Sequence, residues 1–116
     1  MGKFQLGVQT KNVVKDANPE EGFTMLAQAG FSCADFSLND YLKNGDIYQA
    51  EVNTFFDRSV AEFENYFAPH KRGARAAGIK IQQMHMPYPV YVPAGSKELN
   101  DYLWNEVAPK SMALCA

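Results

Sequence analysis

The chain has 116 residues, of which 47% are hydrophobic and 21% charged, with a formal net charge of -2. That is enough for one domain around a single modest core, and the absence of any basic block or acidic run argues against a nucleic-acid or anionic-membrane surface. Two cysteines, Cys33 and Cys115, are too few and too far apart for a disulfide framework or a zinc knuckle, which points to reduced thiols in a cytoplasmic protein.

The first residues, "MGKFQLGVQT", alternate apolar and polar side chains, so they form no continuous apolar core of a signal peptide. Leu6 stands where a myristoylation signal wants Ser or Thr. No segment approaches the ~18 uninterrupted apolar residues of a membrane span. "KFQLGVQT" instead reads as a strand, with Phe4, Leu6 and Val8 on one face and Gln5, Gly7 and Gln9 on the other. In "NPEEGFTMLAQAG" Asn18 is a natural N-cap, Pro19 fits the first helical position and Glu21 completes the capping arrangement. Phe23, Leu26 and Ala27 share one face of that helix, and Gly30 ends it.

"FSCADFSL" alternates again, with Ala34, Phe36 and Leu38 opposite Cys33, Asp35 and Ser37. A long loop is expected over "NDYLKNGDIYQAEVNTFFDR", with Asn44-Gly45 as its turn signal. "SVAEFENYFAPHKRGARAAG" opens on the capping box Ser59/Glu62 and repeats Val60, Phe63, Phe67, Ala74 and Ala77 at helical spacing. Pro69 should kink or divide this helix, His70 is expected at its surface or partly packed, and Gly78 closes it. "IKIQQMHM" is a third strand. "SKELNDYLWNEVAPKSMALCA" is a further helix capped by Ser96, with Leu99, Leu103 and Val107 on one face and a disturbance at Pro109.

Strand–helix alternation three times over implies an α/β fold with a parallel sheet and covering helices. Polar residues Gln9, Asp35, Ser37, Gln83 and His85 can then gather on the uncovered face, near the carboxyl ends of the strands. Strict alternation turns Lys80 and Gln82 toward the helices instead, a poor place for them. His85 has two readings: a hydrogen-bonded histidine at a strand end, or a metal ligand or substrate contact. Asp35 is expected to have a structural partner, and Asp40 to sit in a turn. Tyr88, Tyr91 and Trp104 could line a pocket or simply cover the core. "GARAAGIK" does not make a phosphate loop, since its lysine is misplaced and it leads from helix into strand. "GVQTKNVV" lacks the glycines of a dinucleotide-binding turn.

"GFSCADFSL", "YFAPHKRGARAAGIKIQQMHMPYPVYVP" and "LWNEVAPKSMALCA" together resemble the N-terminal part of the xylose isomerase-like TIM barrels. This superfamily comprises sugar phosphate isomerases and epimerases and the endonucleases that act at apurinic sites. The most specific element is "QMHMPYP", similar to the family's third-strand His-x-Pro-Tyr segment. The resemblance implies that residues 1–116 form the first three strand–helix units of one (β/α)8 barrel, a fold of about 250 residues when complete, with the chain stopping before strand four. It implies a metal-dependent sugar or sugar phosphate isomerase or epimerase as the parent activity, with a divalent ion (Mn, Mg, Co or Zn) held by strands beyond this chain. Substrate-binding residues carried over are Gln9, His85 and Tyr88, and His85 matches a metal ligand of the endonuclease branch. An abasic-site hydrolase and a non-catalytic barrel fragment are the alternatives. The chain alone would be inactive, would hold no metal tightly, and would self-associate through its exposed strand edges.

Overall fold

The computed structural model describes residues 4–42, 44–46, 49–50 and 55–115. They form two compact units, Met1–Ser37 with Tyr66–Met84, and Leu38–Asn65 with His85–Ala116.

The first unit is built on a parallel sheet. Strand β1 (Gly7–Gln9) is followed by helix α1 (Pro19–Gln28) and strand β2 (Cys33–Ser37), with Gly7 paired to Cys33 and Gln9 to Asp35. The α/β reading holds to this extent: a three-stranded parallel sheet with helices between the strands. The N-cap of α1 is the expected one. The Glu21 amide donates to Asn18 Oδ1 at 3.3 Å, and the Asn18 side-chain amide returns a bond to Glu21 Oε2. Phe23 and Leu26 are buried, and Gly30 takes φ 95°, the left-handed conformation that a side chain would strain.

Central strand β2 is buried along most of its length, with Asp35 partly exposed. Ala34 and Phe36 are buried, and so are Cys33 and Ser37 opposite them. β1 differs from expectation. Only Gly7–Gln9 pair as a strand, and Phe4 and Leu6 lie exposed rather than in the core. Both precede the paired residues of an edge strand, where Phe4 is fully exposed and Leu6 more than half so.

Helix α2 (Val60–Ala77) continues through Pro69, so of the two expected effects, a kink or a division, the division does not occur. Its first turn is closed by the capping box: the Ser59 amide donates to Glu62 Oε2 at 2.7 Å and the Glu62 amide to Ser59 Oγ at 3.2 Å. The Ser59 amide, and with it the Ser59 hydroxyl, holds the Glu62 carboxyl below the usual range. Phe67 and Ala74 are buried as the spacing predicts, but Val60 is exposed. His70 is buried, not at the surface, because it falls on the same stripe as Phe67 and Ala74. Gly73 allows α1 close in, since a Cβ there would come within 2.9 Å of Glu20 Cα.

Strand β5 (Lys80–His85) completes the sheet, in the order β1-β2-β5, after two short strands introduced below. The Lys80 amide donates to the Ser32 carbonyl at 3.0 Å, and the Leu38 amide donates to the His85 carbonyl at 2.8 Å. In an unbroken parallel ladder begun at Lys80, the Leu38 amide would reach Met84. β5 therefore carries one extra residue before its end, and a one-residue slip exchanges the faces of a strand. Gln82 sits on the open face, bonded to the Gln5 side chain, and Lys80 is exposed. The expectation that Lys80 and Gln82 look toward the helices is corrected by this irregularity.

The second unit is aromatic at its centre. Leu38, Leu42, Phe56, Phe63, Leu103 and Val107 are buried, with Phe55 lying 5.3 Å from Phe63 and stacked on Tyr41 at 4.5 Å between ring centroids. The stretch expected to be one long loop contains two short antiparallel strands, β3 (Asn44–Asp46) and β4 (Gln49–Ala50), so Asn44 and Gly45 stand in a strand rather than a turn. Residues 43, 47–48 and 51–54 of that stretch lie outside the described residues. Helix α3 (Lys97–Tyr102) starts where Ser96 Oγ accepts the Leu99 amide at 3.1 Å. It passes through a π-helical segment, Leu103–Val107, into α4 (Ala108–Cys115). Pro109, which has no amide to return to Asn105, stands just past that segment, in line with the expected disturbance.

Candidate functional site

In the first unit the uncovered side of the sheet forms a concavity of about 370 Å³ whose lining includes Gln5, Gly7, Gln9, Cys33, Asp35 and Gln82. Strand pairing explains the set: Gly7 lies beside Cys33 and Gln9 beside Asp35, on one face. Gly7 is needed there for space, since a Cβ would come within 2.8 Å of Cys33 Sγ. Gln9 is half-buried, and Asp35 has a buried carboxylate oxygen. Side-chain amides and a carboxylate make a surface of alternating donors and acceptors, suited to hydroxyl groups on a small polar molecule.

The carboxyl end of β1 is fixed from its neighbour. The Thr10 amide donates to the Asp35 carbonyl at 2.9 Å, and Thr10 Oγ1 accepts the Ser37 amide at 3.0 Å. Both Thr10 and Ser37 are buried, so this side-chain-to-backbone bond holds the two strand ends in register. Thr10 was not singled out by the sequence; a threonine that ends an alternating strand is the only signal.

His85 and Tyr88 belong to the second unit and Gln9 to the first. His85 is exposed at the end of β5. Tyr88, 47% exposed, donates its backbone amide to Asn39 Oδ1 at 2.9 Å, and the Tyr88–Pro89 peptide is cis. Asp40 lies in a single 3-10 turn, Asn39–Tyr41, as a turn residue should. Tyr91 and Trp104 are exposed rather than core. The proline-rich loop is fastened by Asn100, whose side chain accepts the Val92 amide at 2.7 Å and donates to the Val92 carbonyl at 2.9 Å. That clamp was legible only as an asparagine inside a helix, a position the side chain favours when it has backbone to bind.

Among the described residues no three His, Cys, Asp or Glu side chains gather as a metal site. His85 would be a single ligand, and a divalent ion is held by about three or more. Among the described residues no helix is long and apolar enough to cross a membrane. No protein-family model, no curated protein and no solved structure matches this chain.

Proposed function

We propose that the chain supplies the first three strand–helix units of a xylose isomerase-like (β/α)8 barrel, and that the barrel isomerises or epimerises a sugar or sugar phosphate in the cytoplasm. One observation carries this reading: three parallel strands whose uncovered face presents Gln5, Gln9, Asp35 and Gln82 around a single concavity. Amides and a carboxylate can bind several hydroxyls at once, and the uncovered face of such a sheet is the inside of a barrel. Proton transfer beside a carbonyl is the chemistry such a site would serve, and a divalent metal ion would polarise the substrate oxygens in the complete barrel. Gln9 would hold a substrate hydroxyl. His85 and Tyr88 would serve at the rim.

The test is an NMR titration of the chain with aldoses, ketoses and their phosphates, with magnesium or zinc present, against an abasic-site oligonucleotide. A sugar should shift the side-chain amide signals of Gln9 and Gln82, and Asp35→Asn should weaken the effect. Shifts produced only by the oligonucleotide would overturn the isomerase reading in favour of an abasic-site hydrolase. Silence with every ligand would leave a non-binding unit and sink both.

A further inference from the structure

His70 is 3% exposed, yet it is titratable and is bonded to a residue 54 positions away. Its Nε2 lies 2.9 Å from Asp16 Oδ1, and the Tyr66 hydroxyl donates to Asp16 Oδ2 at 2.7 Å. The imidazole stands edge-on to Phe36 and Phe67, with ring centroids 5.6 and 5.3 Å away. Its Nδ1 is buried and has no hydrogen-bond partner among the described residues. The connection between β1 and α1 thus presents the Asp16 carboxylate to the ring. Its own helix presents Tyr66 and Phe67, and β2 presents the uncharged Phe36.

This geometry treats the two protonation states differently. With one proton, on Nε2, the ring donates to Asp16 and leaves only a lone pair against the phenyl rings. A second proton on Nδ1 would be a buried N–H with no acceptor, and its charge would be taken from water. Asp16 pulls the other way, but its side chain is 42% exposed and its attraction is screened. Burial outweighs that attraction and holds the His70 pKa below the ordinary 6.5.

The segment held by this cluster is the turn that leaves the carboxyl end of β1. There the Thr10 carbonyl accepts the Val13 and Val14 amides at 3.1 and 3.0 Å, and Asn12 takes φ 67°. Gly22 of α1 lies so close that a Cβ would come within 2.6 Å of Val14 Cα. We propose that Asp16, His70 and Tyr66 form an acid-released latch: a second proton on the buried imidazole loosens the β1–α1 connection, and with it the strand end that carries Gln9. The latch does not depend on what the concavity binds.

The sign follows from linkage. The opened segment takes up the proton more readily than the closed one, so closure is at full strength above pH 6.5 and weakens as pH falls through the value of the closed state. Hydrogen exchange, corrected for intrinsic rate, reads this at the Val13 and Val14 amides. Their protection should fall between pH 7.5 and 5, by a factor of ten for each unit by which the two states' affinities for the proton differ. The Phe63 amide, bonded to the Ser59 carbonyl in the second unit, serves as the reference and should hold constant. In His70→Gln, which cannot titrate, the fall should be absent. Should that variant fail to fold, proton NMR of the imidazole in the unaltered chain gives its midpoint directly, and Asp16→Asn should move that midpoint further down. A His70 midpoint at or above 6.5, flat protection in the unaltered chain, or an equal fall in His70→Gln would each overturn the latch.

Discussion

In the first compact unit, polar side chains bridge segments far apart in the chain. Among the described residues of the second, rings and aliphatic groups join distant segments, with fewer polar bridges. Asp16 reaches His70 and Tyr66, Thr10 reaches Ser37, and Gln5 reaches Gln82, all in the first unit. In the second, Phe55, Phe56 and Phe63 pack within 5.7 Å of one another, and Asn39 and Asn100 fix loop backbone. Among its described residues the long polar ties are the Tyr88 amide to Asn39 and Lys110, whose Nζ donates to the Phe56 carbonyl at 2.6 Å and also pairs with Glu106. Ring packing contributes more energy per residue, because apolar burial is large and needs no matching partner. Polar ties contribute less but fix geometry, and they alone respond to protons.

The largest effect expected from this contrast is at Phe63, which is fully buried among aromatic rings. Phe63→Ala should cost about 3–5 kcal/mol in chemical denaturation, and the same amount at pH 7 and pH 5. A cost that changed with pH would show that the second unit also depends on a titrating group.

A smaller loss is expected at Thr10. Thr10→Val keeps the shape but leaves the buried Ser37 amide without its side-chain acceptor, which should cost about 1–3 kcal/mol. Hydrogen exchange at Ser37 should rise with it. A neutral result would mean that the strand ends are held by the backbone ladder alone. The smallest of the three is Ser96→Ala, which removes the cap on Leu99 and should cost about 1 kcal/mol. Here the exposed start of α3 should fray in the amide exchange pattern, with the first unit unchanged.

Much of the local structure was legible residue by residue. Asn18, Ser59 and Ser96 cap where their spacing said they would, because a capping bond spans only three residues and needs no distant partner. Gly30 and Gly78 adopt the left-handed backbone after their helices for a similarly local reason. His70 was misread. Its position on the stripe of Phe67 and Ala74 takes it further inward than the surface or partly packed place expected of it. What made burial tolerable was Asp16, which nothing near His70 in the chain announced.

The candidate site shows the same division more sharply. Alternation put Gln9 and Asp35 on the uncovered face, and pairing with β2 agrees. Alternation also sent Gln82 to the wrong face, since an extra residue in β5 leaves no mark in the pattern of apolar and polar side chains. The unbroken course of α2 through Pro69 could not be read either, because proline's local penalty is set against packing along the rest of the helix. By itself, then, the sequence determined the three parallel strands, the helix caps and the α/β class, which rest on alternation and on neighbours within about four residues. Only the tertiary structure decided the register of β5, the burial of His70 and the exposure of Phe4 and Leu6. Those depend on which distant segment lies alongside, and that free energy is gained only once the chain has closed on itself.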